Sequence, residues 1–457
     1  MIAALRPGQR VAWLIALIAA AIAVSGIGPE PPSAAILGLV VLTIGLWATG
    51  ALPEHVTAVL FLAVIMLFGL APADVAFSGF HSAAVWLIFG GLIIGVAVDG
   101  TGLGRRLAGR LVRAMGHSYR GIIFGVLAMG IALGFLMPSS MGRVVLLMPI
   151  VLRLADQLGF PRGSPGRTGI VMAAALGAVL IPFTILPANV PNVVLFGLGE
   201  QLYGLAPTYG QWLLLHFPVL GLLKAAIIGG LILVLFPARP APAADDRTPQ
   251  PVSGAERRLG LILGAALLGF ASDFAHGISP AWIALAAAAI CMVPAVGLFR
   301  RDDFAKVNFA SLIYVAGILG LGALVAQSGW GARLGDVVTR LAPLDAGQPL
   351  VNFLALSGTA IITGMGTTLP GVPAVLTPLA AKLAPLAGMP LDSVLMTQVI
   401  GFSTPLLPYQ APPVIVAMQL AGVRLGDGTR LVLATAVLTI VLLLPLDFLW
   451  WRVLGMI

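Results

Sequence analysis

A twenty-residue stretch of this chain occurs twice. Residues 88–107 read IFGGLIIGVAVDGTGLGRRL, and residues 315–334 read VAGILGLGALVAQSGWGARL. Shifted by 227 positions, Gly90, Gly95, Gly102, Gly104, Arg106 and Leu107 fall on Gly317, Gly322, Gly329, Gly331, Arg333 and Leu334, and Thr101 falls on Ser328. Each copy is an apolar helix that stops at a glycine and passes into a short basic amphipathic piece. Such a repeat confines the chain to folds built from two similar halves. In a polytopic membrane chain it marks a secondary transporter, with the binding site where the halves meet.

Composition decides whether this is such a chain. Of its 457 residues, 59% are hydrophobic and 9% charged, where a soluble domain carries about 25% charge. Apolar runs of about 20 residues, broken by Gly and Pro, specify spanning helices rather than the alternating strands of a barrel. The expected fold is an all-α polytopic membrane protein of about 11 transmembrane helices plus two re-entrant hairpins. The net charge of +8 lies in short loops with no basic tract interleaved with aromatics, so topology explains it and nucleic acid does not. Cys291 stands alone in an apolar run, which excludes an internal disulfide and reads as a small buried hydrophobe. The first apolar run, from Val11, is followed by Gly28, Pro29 and Glu30 and reads as a retained helix, not a cleaved leader.

The repeat organises the whole chain. A first half, 1–236, carries spanning helices near 11–28, 34–51, 55–71 and 84–100, then an amphipathic segment at 103–116. It continues with a hairpin at 120–155, a broken helix at 168–200 and a helix at 211–236. A linker rich in Pro, Ala and charge covers 237–256. The second half, 257–457, repeats the programme, with a hairpin at 349–386, a broken helix at 393–421 and a last helix at 428–452. With the N-terminus in the cytoplasm of an inner-membrane protein, 19 of the 25 Lys and Arg fall in cytoplasmic segments. That assignment puts the first hairpin on the cytoplasmic side and the second on the outer side, which makes the repeats inverted, as alternating access requires.

Four polar breaks interrupt these helices. Broken backbone at membrane depth is tolerated only where protein or a watery cavity satisfies it, so the breaks should converge on an interior site. The first tip carries Ser139, Ser140 and Arg143; the first broken helix carries Thr184, Asn189 and Asn192. The second tip carries Thr363, Thr367 and Thr368; the second broken helix carries Ser403, Thr404, Tyr409 and Gln410. Helix N-termini at such breaks present free N–H groups to an anion, and opposing carbonyls hold a cation such as Na⁺. The candidate substrate-binding residues are Ser139, Ser140, Arg143, Asn189, Asn192, Thr367, Thr368, Tyr409 and Gln410. The candidate Na⁺ ligands are Ser139, Ser140, Thr184, Thr367, Thr368 and Thr404. The competing reading is that Ser and Thr in apolar helices bond back to their own i−4 carbonyls.

Arg143 stands out, because a charge in an apolar stretch is costly unless paired or hydrated. It reads as a snorkelling or carbonyl-bound arginine, as a fixed cation that attracts an anionic substrate, or as a group standing where a coupling cation sits in a relative. The carboxylates lie outside the breaks, and Glu54, Asp99, Glu200 and Asp447 read as solvated or structural groups near helix ends. No nucleophile–base constellation, metal-ligand spacing of histidines or phosphate loop is present, so an enzyme and an ATP-driven pump are not expected, and no cofactor is called for beyond a coupling ion. A cation/proton antiporter or metalloid efflux permease on the same scaffold stays open, as does a non-transporting receptor.

Several passages carry a family resemblance. ATGALPEHVTAVLFLAVIMLFGL, WLIFGGLIIGVAVDGTGLGRRLAGRL, VNFASLIYVAGILGLGALVAQSGW and PYQAPPVIVAMQLAGVRLGDGTRL resemble the divalent anion/sodium symporter family of the ion transporter superfamily, from about residue 35 to the end. The resemblance implies an inverted-repeat elevator transporter, a homodimer with a scaffold and a mobile transport domain, for a di- or tricarboxylate-like or sulfate-like anion. It also implies a Ser-Asn-Thr triplet at each tip for substrate and sodium. Here those positions are Ser139-Ser140-Met141 and about Thr368-Leu369-Pro370, so only Ser139 matches. The family's later break keeps Pro191 and Asn192.

Overall fold

The computed structural model describes residues 7–25, 33–107, 118–240, 251–341 and 344–457. The amphipathic segment expected at 103–116 and the linker expected at 237–256 lie partly outside them. The described residues are helical, without strands. The first half runs α1 (Pro7–Val24), α2 (Ser33–Thr49), α3 (Glu54–Phe68), α4 (Ala83–Thr101), α5 (Tyr119–Leu136), α6 (Ser140–Gln157), α7 (Pro165–Val179), α8 (Val190–Tyr203) and α9 (Tyr209–Leu235). The second runs α10 (Gly254–Ala271), α11 (Pro280–Met292), α12 (Phe309–Gln327), α13 (Trp330–Leu341), α14 (Pro349–Gly366), α15 (Gly371–Ala387), α16 (Leu391–Phe402), α17 (Pro412–Ala421) and α18 (Leu425–Val453).

Local chemistry sets the ends. Ser82, Ser118, Ser139 and Ser164 cap α4, α5, α6 and α7 through their side-chain oxygens, and Ser253 with Glu256 forms a reciprocal capping box on α10. Gly102 stops α4 at φ 80°, a left-handed conformation that costs a side-chain-bearing residue, and Gly329 repeats it at φ 75° just beyond α12.

Among the described residues, seven helices are long and apolar enough to cross a bilayer, or eight if the sharply bent pair α15–α16 counts as one span; α2, α3, α11 and α17 are shorter apolar helices. Leu67, Val234, Leu268, Ile362 and Val453 are large apolar side chains left exposed on these helices, a surface suited to lipid.

The repeated glycines are helix crossings. α4 packs on α11, and α12 packs on α3, so each half clasps a helix of the other. A Cβ on Gly90 would sit 2.7 Å from the carbonyl carbon of Ala284, and one on Gly317 would sit 2.6 Å from the Cβ of Ala58. Only glycine permits either approach. Gly104 and Gly331 repeat the pattern against the hairpins, facing Leu146 of α6 and the carbonyl of Pro378 in α15.

The two broken helices form the centre. α7 is buried from Gly166 to Val179 and α16 from Ser393 to Phe402. Helices apolar on every face belong in such a position. α5 lies along α7, and α14 lies along α16. The second arm of each hairpin packs against the helix that leaves the other half's break: α6 on α17, and α15 on α8. This crossing brings the four breaks toward one region.

Candidate functional site

At the first tip the chain leaves α5 through Met137, Pro138 and Ser139. The Ser139 oxygen accepts from the Gly142 N–H at 3.1 Å and starts α6. Ser139 and Ser140 are half-buried at this N-terminus. One turn in, Arg143 is fully buried. Its guanidinium donates from Nε to the Ala178 carbonyl (2.7 Å), from Nη1 to the carbonyls of Met137 and Ala188 (the latter at 2.9 Å), and from Nη2 to Asn189 Oδ1 (2.7 Å). These acceptors are the end of α5, the end of α7 and the break before α8. Asn189 is held in turn by donating to the Val179 carbonyl at 3.2 Å.

The structure thus brings Arg143 and Asn189 into direct contact, with Ser139 joined to Arg143 only through the α6 backbone. Asn192, also buried, donates to the Ile185 carbonyl at 2.8 Å, and its side-chain oxygen has no partner among the described residues. Thr184 bonds back to the Ile181 carbonyl at 2.7 Å, so its hydroxyl proton is used locally.

The second tip is built differently. Thr363 and Thr367 bond back to the carbonyls of Thr359 and Thr363, each at 2.8 Å. Thr368 accepts from the Gly371 N–H at 3.2 Å and meets the Tyr314 hydroxyl of α12 at 3.2 Å. Gln410 ties the second break to this tip: its amide donates to the Gly364 carbonyl at 2.9 Å, while its oxygen accepts from Leu406 and Leu407. Tyr409 reaches the Met365 carbonyl at 3.3 Å but is 55% exposed. Phe183 and Phe402, one from each broken helix, lie 5.5 Å apart between the two breaks.

Two residues not among the sequence candidates belong to this region. The ammonium of Lys224, buried in α9, donates to the Ser403 carbonyl at 2.9 Å and reaches Ser403 Oγ and Thr404 Oγ1 at 3.4 Å. Asp447, expected to be a solvated or structural group near a helix end, is fully buried inside α18. A lone lysine inside LLLHFPVLGLLKAAIIGGLILVLF was the available signal. Cys291 is buried, and no cluster of His, Cys, Asp and Glu suited to a metal occurs among the described residues.

The sodium:sulfate symporter transmembrane region, as a family, matches residues 9–457. A membrane protein of Cupriavidus necator is 25% identical over 97% of this chain and 92% of its own length. The L-tartrate/succinate antiporter of Shigella sonnei is 26% identical over 83% of this chain and 80% of its own, and that of Escherichia coli K12 is 25% identical over the same shares. Among solved structures, the YdaH transporter of Alcanivorax borkumensis superposes with a TM-score of 0.52 at 16% identity, covering 99% of both chains. MtrF of Neisseria gonorrhoeae superposes with a TM-score of 0.54 at 12% identity, covering 95% of this chain and 97% of its own. These two likenesses concern the fold.

Proposed function

The chain belongs to the sodium:sulfate symporter family, and from that premise we propose that it is an exchanger of small dicarboxylate anions that requires no sodium. The observation that carries this reading is the Arg143 guanidinium, which donates to the carbonyls of Met137, Ala178 and Ala188 and to the Asn189 side chain. A ring of carbonyls at helix ends is what a transporter uses to hold a coupling cation. Here a covalently tethered cation takes those oxygens, and Lys224 does the same with Ser403 and Thr404 at the second break.

Electrostatics favours an anion beside it. No carboxylate pairs with Arg143 among the described residues, so its charge is uncompensated within the protein. A sodium ion about 4 Å away would be repelled by roughly 4 kcal/mol at an effective dielectric of about 20, and a carboxylate attracted by as much. The N-terminus of α6 at Ser139 and Ser140, and that of α15 beyond Thr367 and Thr368, add N–H donors for the two ends of such an anion. Two fixed charges that cannot leave, Arg143 at the first break and Lys224 at the second, also explain exchange: a dicarboxylate dianion neutralises the loaded site, and the empty one carries bare charge that resists crossing. The names of the antiporter relatives agree with exchange and suggest succinate and tartrate as first substrates.

On this reading the hairpins, the broken helices, α9 and α18 move as one body against α1–α4 and α10–α12, the two halves are inverted, the N-terminus is cytoplasmic in the inner membrane, and the protein works as a homodimer. The test is a thermal-stability screen of purified protein with succinate, tartrate, citrate and sulfate, in sodium chloride and in choline chloride. Saturation at 100-fold over Kd adds about 2.7 kcal/mol to stability. Succinate or tartrate raising Tm equally in both salts is expected; a rise that needs sodium contradicts the proposal.

A further inference from the structure

The helices that close the two halves, α9 and α18, pack against each other, and each contains one π turn, at Phe217–Leu223 and Thr439–Leu443. π turns inside α-helices frequently mark functional sites. Lys224 follows the first directly, and Asp447 lies in the turn after the second. They are 223 positions apart, so each half carries one buried charge just beyond its π turn, although the repeat's shift of 227 would set Lys224 on Trp451 rather than on Asp447.

Among the described residues' ion pairs the two are not joined, although each lies within the other's field. Lys224 turns instead to Ser403 and Thr404. Both carboxyl oxygens of Asp447 are buried and make no well-formed hydrogen bond among the described residues, the one donor facing them being the Trp451 indole N–H one turn along α18. Further groups buried without a partner among the described residues are both ring nitrogens of His216 on α9 and Ser357 Oγ on α14. The His216 ring is held between Trp212 at 5.2 Å and Trp451 at 5.9 Å, and Trp451 packs on Phe353 of α14, one turn from Ser357, at 5.1 Å. Lys224 and His216 are the charged or titratable groups facing Asp447 from α9, and α14 presents none. The remaining buried charges are engaged elsewhere: Arg143 at the first break, Arg167 with Asp156, Glu256 with Arg106, and Asp273 at the N-terminus of α9.

An ionised carboxylate in apolar surroundings, with a single indole N–H facing it, is far costlier than a neutral carboxyl. If it were ionised, the ammonium nearby would be drawn onto it. We propose that Asp447 is a proton-binding site of the transport cycle and that Lys224 reports its state to the second break. The arrangement seen here is the protonated one, with a neutral carboxyl and with Lys224 on Ser403 and Thr404. When the O–H bond of the carboxyl breaks, its proton passes to water. The carboxylate then draws Lys224 away, which releases the Ser403 carbonyl and the hydroxyls of Ser403 and Thr404. The ligand of this site is a proton, and its effect is to change the donor set at a break that the transport reading places beside the substrate; the inference rests on that reading for its role in transport.

Two readouts separate the proton site from the transport reading. In infrared difference spectra of the purified full chain during a pH titration, the wild type gives the C=O band of a protonated carboxylic acid, and Asp447→Asn loses it. In proteoliposomes, succinate counterflow depends on pH in the wild type, and that dependence is lost in both Asp447→Asn and Lys224→Met. A band that persists in Asp447→Asn, or a pH profile unchanged by both variants, overturns the proposal. A band lost in Asp447→Asn in a protein that carries no succinate supports the proton site while overturning the transport reading. If Asp447→Asn does not fold, Asp447→Glu serves: a shifted band supports the site, and an unshifted one overturns it.

Discussion

The Arg143 guanidinium and the Asn189 side chain meet at 2.7 Å, binding the tip of the first hairpin to the break in the helix behind it. The same arginine spans the ends of α5 and α7 through backbone carbonyls. Three segments that would otherwise expose unsatisfied carbonyls at membrane depth are therefore closed by one side chain, which leaves a net positive charge where the breaks converge.

Replacing Arg143 by alanine strands four buried acceptors, each at a cost of about 1–3 kcal/mol. Arg333 makes a useful control, because it lies exposed over the Trp330 ring at 5.2 Å, a contact worth about 0.5–1 kcal/mol. Arg143→Ala is expected to lower Tm sharply and abolish succinate binding, and Arg333→Ala to leave both near wild type. Equal anion affinity in the two variants would show the tip arginine to be structural only.

Lysine does not restore the site. Its three donors radiate from one nitrogen, whereas the acceptors around Arg143 are reached from Nε, Nη1 and Nη2. Succinate counterflow by Arg143→Lys is expected to stay at the background of empty vesicles. Wild-type rates would mean that charge alone suffices.

The glycine crossings predict a pair of matched failures. Gly90→Leu and Gly317→Leu force α4 from α11 and α12 from α3, since even a Cβ comes within 2.7 Å of its neighbour. Overpacking of this kind costs about 1–3 kcal/mol or more. Gly95→Ala, with open space around it, is the control and should be neutral. Thermal unfolding in detergent separates the three; a stable Gly90→Leu would mean that α4 and α11 are not held by this contact.

Movement of the hairpin against the first-half helices can be tested at Gly91 and Pro138. A Cβ on Gly91 would come within 2.9 Å of that of Pro138, closer than the 3.5–4.5 Å typical of a disulfide, so the bond closes once the two backbones part by about half an ångström. In a Cys291→Ala background, Gly91→Cys with Pro138→Cys is expected to cross-link on oxidation and stop counterflow until a reductant is added. Full exchange with the bond closed would rule out sliding between α4 and the tip.

Much of this was legible before the structure. The broken helices, both tips and the repeat are local patterns, readable because Gly, Pro and polar residues interrupt long apolar runs. Arg143 was conspicuous for the same reason, yet its partners were not, since Ala178 and Ala188 contribute backbone oxygens that no side-chain pattern announces. Lys224 and Asp447 escaped because their significance depends on two helices distant in sequence coming together. The hydroxyls of Thr184, Thr363 and Thr367 turned back on their own helices, the competing reading that apolar surroundings favour for any single Ser or Thr.

The central claim, anion exchange with a tethered cation in place of sodium, is tested most directly by radiolabelled succinate counterflow in proteoliposomes. Vesicles loaded with unlabelled succinate or tartrate, and vesicles left empty, are assayed in sodium and in choline buffers. The account predicts rapid uptake into loaded vesicles at equal rates in both buffers, with none into empty ones. Uptake into empty vesicles that requires an inward sodium gradient would contradict it.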